Sequence, residues 1–443
     1  MHRLAPREAF ATRAAIGCEV RQAPSPHCYP LLVSVRASHA ARLGLRGPVA
    51  ALLLGLGSLR VGAADSGDVV NVSTVAELQR AAAEARPGTH IRIAPGRYAG
   101  GLSILGLLGA PGRPVVLEAA DPKRPPLFEG GGAGLQLSDP RHVELVDLAF
   151  EGQHGNGLNV DDGGTPDSPA HHVTLRRLTV RDVGPDGNCD GIKLSGVDDL
   201  VVAACVVERW GRGGSAVDLV GCHRGEIEDN VFRHEAGVLG ASGVQLKGGT
   251  AELRVRRNRF EHAGSRAVNA GGSTGPAYFR PALDTWSGPK YEARALTIEG
   301  NTFVGSEAPV AFVGVDGATF RFNTVVLPER WALRFLQENR AEGFVPCRNV
   351  EVRDNLIVFR TDHWSEGGVN VGPGTEPSTL RFAGNHWVAV DAAERTRARV
   401  RLPTEEKDGT YGDDPRFLDA STGDYRVRPG SPAARVGAHA LPR

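Results

Sequence analysis

Five short segments of this chain can be laid over one another, and the overlay puts charged and amide side chains in register. They are Asp190-Gly-Ile-Lys-Leu-Ser-Gly196, Ser215-Ala-Val-Asp-Leu-Val-Gly221, Ser242-Gly-Val-Gln-Leu-Lys-Gly248, Arg266-Ala-Val-Asn-Ala-Gly-Gly272 and Ala308-Pro-Val-Ala-Phe-Val-Gly314, and Asn156-Gly-Leu-Asn-Val-Asp-Asp162 extends the series upstream. If each is a strand, the apolar positions (Ile192 and Leu194, Val217 and Leu219, Val244 and Leu246) face inward and the residues between and after them face outward. One outward column then reads Asn159, Lys193, Asp218, Gln245, Asn269, Ala311, and a second reads Asp161, Ser195, Val220, Lys247, Gly271, Val313. Rows about 4.8 Å apart make this a face about 20 to 25 Å long. The small residues Gly191, Ala216, Gly243 and Ala267 flank it, which reads as room for an extended sugar chain. Cleaving a uronate polymer by β-elimination needs a cation on the C6 carboxylate, a base for the C5 proton and an acid for the leaving oxygen. Lys247 is the candidate base, since a neighbouring cation lowers a lysine toward working pH. Arg266, one row on, is the candidate carboxylate clamp because its planar fork can hold a carboxylate bidentately. Asn159, Lys193, Gln245 and Asn269 are candidate substrate-binding groups. The plainer reading is a solvated face with a Lys193 to Asp218 ion pair.

The elements that hold these columns come from the spacing. The closing glycines are 25, 27, 24 and 42 residues apart. A second repeat, Asn followed by apolar residues, recurs at Asn230, Asn258, Asn301, Asn323, Asn355 and Asn385. Asparagine tolerates the left-handed backbone of a sharp corner, and stacked asparagines can bond one another's backbone inside a solenoid. A period in the twenties with no amphipathic helix between strands gives an all-β solenoid of parallel strands. The 57 glycines, 29 prolines and single methionine suit short strands and turns better than packed helices. Thr74 and Glu77 form a capping box for a helix carrying Val75, Leu78, Ala82 and Ala85, stopped at Pro87-Gly88, which would close the N-terminal end of the stack.

The run Ser73-Thr-Val-Ala-Glu-Leu-Gln-Arg-Ala, then Arg86-Pro-Gly-Thr-His-Ile-Arg-Ile-Ala-Pro-Gly-Arg-Tyr98, resembles the opening of secreted β-helix polysaccharide lyases of the chondroitinase B and alginate lyase family. Asp414-Pro-Arg-Phe-Leu-Asp, Gly423-Asp-Tyr-Arg-Val and Pro429-Gly-Ser-Pro432 resemble the close of the same group, so the resemblance spans roughly residues 70 to 440. It implies a right-handed parallel β-helix, and its Lys and Arg order is matched here by Lys247 and Arg266. A second resemblance, to calcium-dependent β-helix pectate lyases, lies in Asp190-Gly191 and Asp218-Leu219. It implies Ca2+ on Asp190 and Asp218, but Gly214 and Ser215 stand where those enzymes carry further acids, and Lys193 intrudes. No other cofactor is indicated. The same frame also carries hydrolases, for which Asp161, Asp162, Asp190 and Asp218 are available, C5-epimerases, and non-catalytic carbohydrate-binding solenoids.

Two stretches exceed the repeat. Residues 273–291 hold Tyr278, Phe279, Arg280 and Trp286; Tyr278 and Arg280 are candidates to stack on sugar and pair with its carboxylates, the alternative being a self-packed flap. Residues 327–347 hold Trp331, Arg334, Phe335 and Gln337. Arginines followed by the apolar run Val49 to Leu56 and Val61-Gly-Ala63 read as a signal peptide over 41–64, with 1–40 an upstream extension carrying no structural pattern and 65–443 a single domain. That domain holds 43 Lys+Arg against 49 Asp+Glu, a charge of −6. Its partner is then expected to be an acidic polysaccharide read by local cations, with no nucleic acid and no membrane span, and the protein a secreted or periplasmic monomer. The spacing of Cys189, Cys205, Cys222 and Cys347 dictates no disulfide. Serine-histidine, phosphate-loop, dinucleotide and zinc-spacing motifs are absent.

Overall fold

The computed structural model describes residues 67–442 except Asp186 and Leu239. The expected upstream extension and signal peptide therefore lie outside the described residues. The chain winds into a right-handed parallel β-helix whose three faces are parallel sheets of thirteen, ten and twelve strands. A representative turn runs through Ile192–Ser195 on the ten-stranded sheet, Val197–Ala203 on the thirteen-stranded sheet and Val206–Glu208 on the twelve-stranded sheet. Among the described strand pairs only Phe417–Asp419 with Asp424–Val427 is antiparallel.

Burial follows the alternation that the segments predict. Ile192, Val217, Val244 and Val268 are in register, as are Leu194, Leu219, Leu246 and Ala270, and all are buried. The closing glycines Gly196, Gly221, Gly248 and Gly314 take left-handed backbone with φ of 65°, 60°, 66° and 65°, which turns the chain onto the next sheet. On the twelve-stranded sheet Phe232, Phe260 and Phe303 stack with ring centroids 5.1 and 4.7 Å apart. The asparagines form a continuous interior ladder. Asn301 Nδ2 donates to Val255 O and Asn323 Oδ1, while its Oδ1 accepts from the backbone and side chain of Asn258. The expected left-handed conformation falls one residue earlier, on Asp229, Arg257, Gly300, Phe322, Asp354 and Gly384. The corner is thus turned before the asparagine, whose side chain must point inward to reach its neighbours.

The capping helix Val75–Glu84 is present with both halves of its capping box: Glu77 N donates to Thr74 Oγ1 at 3.2 Å and Thr74 N to Glu77 Oε2 at 3.1 Å. Leu78, Ala81 and Ala82 bury against the first strands of the stack. Cys205, Cys222 and Cys347 are buried thiols, with burial pushing Cys205 and Cys222 up to about 12 and Cys347 up to about 11.

Candidate functional site

Parallel pairing places both outward columns on the ten-stranded sheet. Asn159, Lys193, Asp218, Gln245 and Asn269 are successive partners, and the column runs on through Ala311 to Arg334 and Asn370. At its centre Lys193 Nζ lies 3.3 Å from Asp190 Oδ2 and pairs with Asp218, whose other oxygen is 3.2 Å from Lys247 Nζ. Asp190 Oδ1 accepts from Ser215 N at 2.8 Å. Both carboxylates are 1% exposed, whereas the Lys193 and Lys247 side chains are 21% and 19% exposed. The acids therefore lie beneath the lysines, and the surface offered to a ligand is cationic.

Burial, followed by the charge of Asp218, pushes the Asp190 carboxyl up to about 6. Burial opposes the charge on Lys193, yet Asp218 and Asp190 outweigh it and hold the ammonium above the ordinary lysine value. Burial likewise opposes the charge on Asp218, but Lys193 and Lys247 hold it below the ordinary carboxylate range.

Upstream, Asn159 Nδ2 donates to Gln136 Oε1 at 2.7 Å, and both amides reach Asp161. Downstream, Arg266 donates to Asn269 Oδ1 at 3.1 Å and to Glu338 Oε1 at 3.0 Å. Arg334 donates to Asn370 Oδ1 and lies 4.2 Å from the ring of Trp331, which Arg330 covers at 4.0 Å. Burial, then the charge of Arg266, lowers Arg334 from the usual arginine value.

The structure corrects several sequence expectations. Gly191, Ala216, Gly243 and Ala267 face the interior: a Cβ on Gly191 would lie 2.5 Å from Val207 Cγ1 and one on Gly243 3.0 Å from Phe260 Cδ1, while Ala216 and Ala267 are buried. They are small because the twelve-stranded sheet closes on them at the corner, not to seat a sugar. The cation expected beside Lys247 is replaced by the Asp218 anion. Arg266 turns to Asn269, two rows beyond Asp218 and so about 10 Å along the column. The structure places Gln245 between the two.

Arg280 is buried inside an anchor, paired with Asp198 and donating to Gly221 O at 2.7 Å and to His223 Nδ1 at 2.6 Å, so it is not presented to a ligand. The 273–291 insertion is largely self-packed, Phe279 meeting Trp286 and Phe344. Tyr278 is its exposed aromatic, 54% accessible beside Gly248 at the Lys247 end of the strand. Residues 327–347 are not one insertion. They contain the regular strand Leu333–Leu336, and the loop begins only after Leu336. That loop joins the first one through a Lys290 to Phe344 bridge and through buried Glu292, which accepts from Thr274 and Asn339.

Asp190 and Asp218 do not fit calcium. The Lys193 ammonium bridges them, and two carboxylates fall short of the six to eight oxygens the ion takes. Glu338 and Gln136 escaped sequence reading, and Arg334 was visible there only as part of an insertion. Arg334 lies on a strand hidden in an apparent insertion, and Glu338 is brought over the face by a loop whose path no repeat encodes. Gln136, in Ala133–Ser138, could have been found by extending the alternation one row further upstream.

No family model and no curated protein matches this chain. Among solved structures it is similar to pectate lyase Pel9A, at 13% identity over 85% of this chain and 88% of that one, with a TM-score of 0.50. It is also similar to the alginate lyase from Paenibacillus sp. str. FPU-7, at 18% identity over 71% of this chain and 99% of that one, with a TM-score of 0.45. A mannuronic acid specific polysaccharide family 6 lyase from human gut microbiota shares 14% identity over 77% of this chain and 91% of that one, with a TM-score of 0.43. At such identities the likeness is one of fold. The class defined is the right-handed parallel β-helix, the frame on which those lyases are built.

Proposed function

We propose that this chain is an exported, monomeric polysaccharide lyase that cleaves a uronate-containing glycan by β-elimination on its ten-stranded face. One observation carries the reading: the ionic centre of that face buries its acids and turns Lys193 and Lys247 outward, with Arg334 further along the Lys193 column and Arg266, which pairs with Ser242 at the other end of the strand from Lys247, reaching that column at Asn269. Such a row suits a chain bearing one carboxylate per sugar. The Arg266 to Glu338 pair, one Nη2 to Oε1 contact at 3.0 Å, supports Arg266 as the clamp that would acidify the C5 proton.

Lys247 takes that proton. To act as base it must first give up its own, and Asp218 then keeps Lys193 as partner. The flexible lysine stem allows Nζ to swing from Asp218 toward Gln245 and shorten the gap to the clamp. The C4–O bond breaks as the C4=C5 double bond forms, and the leaving oxygen receives the proton Lys247 took. Asn159 and Gln245 offer amides to sugar hydroxyls, Asn269 is buried and positions Arg266 instead, and Tyr278 offers a ring face. A glycoside hydrolase is less well supported, because Asp190 and Asp218 are each 1% exposed with the Lys193 ammonium between them.

The test incubates the protein with alginates, pectates and glycosaminoglycans, with and without calcium, and follows near-ultraviolet absorbance and reducing ends together. Absorbance that rises on a uronate polymer without calcium is expected. Reducing ends without absorbance would establish a hydrolase, and silence in both a binding solenoid.

A further inference from the structure

On the thirteen-stranded sheet, away from the face described above, stacking brings together three histidines that are far apart in sequence or adjacent on one strand. His142 lies on Arg141–Val146, and His171 and His172 on the neighbouring strand Ala170–Arg176. His142, His172 and Asp199 all have left-handed backbone, with φ of 51°, 55° and 52°. Asp199 lies on the next strand, Val197–Ala203. One ring nitrogen from each histidine lies within 4.8 Å of those of the other two. His171 Nδ1 and His172 Nδ1 are 2.9 Å apart, and Asp199 Oδ2 is 3.9 Å from His172 Nδ1.

We propose that His142, His171 and His172 form a binding site for one transition-metal ion of the zinc class, with Asp199 in reach of the fourth position. Three imidazole nitrogens suit zinc, copper or nickel and do not suit calcium or magnesium, which take oxygen. Tetrahedral ligands about 2.0 to 2.1 Å from zinc stand about 3.3 Å from one another, so the set closes with shifts of about 1 Å. His172, whose side chain is half exposed, has room to make them. Two Nδ1 atoms at 2.9 Å need a proton or a metal between their lone pairs. The nearby charges do not block the site. Arg141 is turned to Asp139 and Ser168, and Arg224 holds both oxygens of Asp199, Oδ1 at 2.8 Å and Oδ2 at 3.1 Å, so that Oδ2 would meet the ion with its second lone pair. With ligands on successive turns, the ion would staple the solenoid rather than act on the glycan.

The test is calorimetric titration of chelator-treated protein with zinc chloride, with cobalt chloride as a spectroscopic probe. One zinc per chain is expected, with visible cobalt bands of tetrahedral intensity and a melting temperature that rises with zinc and falls again with chelator. In His171→Ala and His172→Asn affinity is expected to fall by more than about tenfold. Asparagine is chosen at 172 because it tolerates the left-handed backbone. Circular dichroism of each variant checks folding. No zinc heat in the wild type, or undiminished zinc affinity in both folded variants, overturns the proposal.

Discussion

Glu338 occupies the guanidinium that the lyase reading reserves for the substrate, so replacing it with glutamine should relieve a competition. Arg266 and Glu338 are 3.0 Å apart with side chains 21% and 38% exposed, and Arg266 keeps its bond to Asn269 after the change. A partly exposed pair of this kind is worth about 0.2 to 1 kcal/mol. If the incoming uronate must displace it, Glu338→Gln lowers KM by about 1.4- to 5-fold at low salt and leaves kcat unchanged. The gain should shrink as ionic strength rises, because screening weakens the pair being removed. The assay is initial rates of unsaturated-end formation against polymer concentration at two salt levels, beside a thermal melt to show that the fold is unaltered. A KM that is unchanged or raised at low salt would refute the idea that Arg266 exchanges Glu338 for a substrate carboxylate.

Asn301→Ala removes two donated bonds and strands two donors of Asn258 inside the ladder, so chemical denaturation should show a loss of about 2 to 4 kcal/mol. Arg280→Ala takes the buried guanidinium from Asp198, which keeps Arg224 at 3.1 Å, and leaves Gly221 O without its donor, so a loss of about 1 to 3 kcal/mol is expected, with limited proteolysis newly cutting within 273–291. Asp190 is raised from 3.8 to about 6 in the folded chain, so the fold binds more protons than the unfolded chain across that window. Its contribution is complete below about pH 4 and is lost as pH rises through about 6. Melting curves of Asp190→Asn against wild type should show that decline flattened between about pH 4 and 6.

The fold was legible because a solenoid writes its architecture locally. Ile192 and Leu194, Val217 and Leu219, and Val244 and Leu246 alternate on the strand period, and the interval between glycines gives the turn. The same arithmetic put Lys193 beside Asp218 and aligned Gln245 with Asn269. It failed where side-chain direction is set by packing between sheets, as at Gly191 and Gly243, which look outward by alternation but lie inside the corner. It also failed where a loop leaves the repeat: Arg280 reads as a free cation and is a buried anchor, and Glu338 carries no periodic signal. The histidine group was invisible for a further reason. Its spacing matches the turn length of the solenoid, not a metal motif, so only stacked strands reveal it.

The most direct measurement is the near-ultraviolet progress curve of wild type, Lys247→Ala and Arg266→Ala on whichever uronate polymer the wild type cleaves. Lys247→Ala, still folded because Lys193 continues to pair Asp218, is expected to lose about 10²- to 10⁴-fold in rate, and Arg266→Ala to lose both rate and affinity. Undiminished formation of unsaturated ends by folded Lys247→Ala would contradict the assignment of Lys247 as the base.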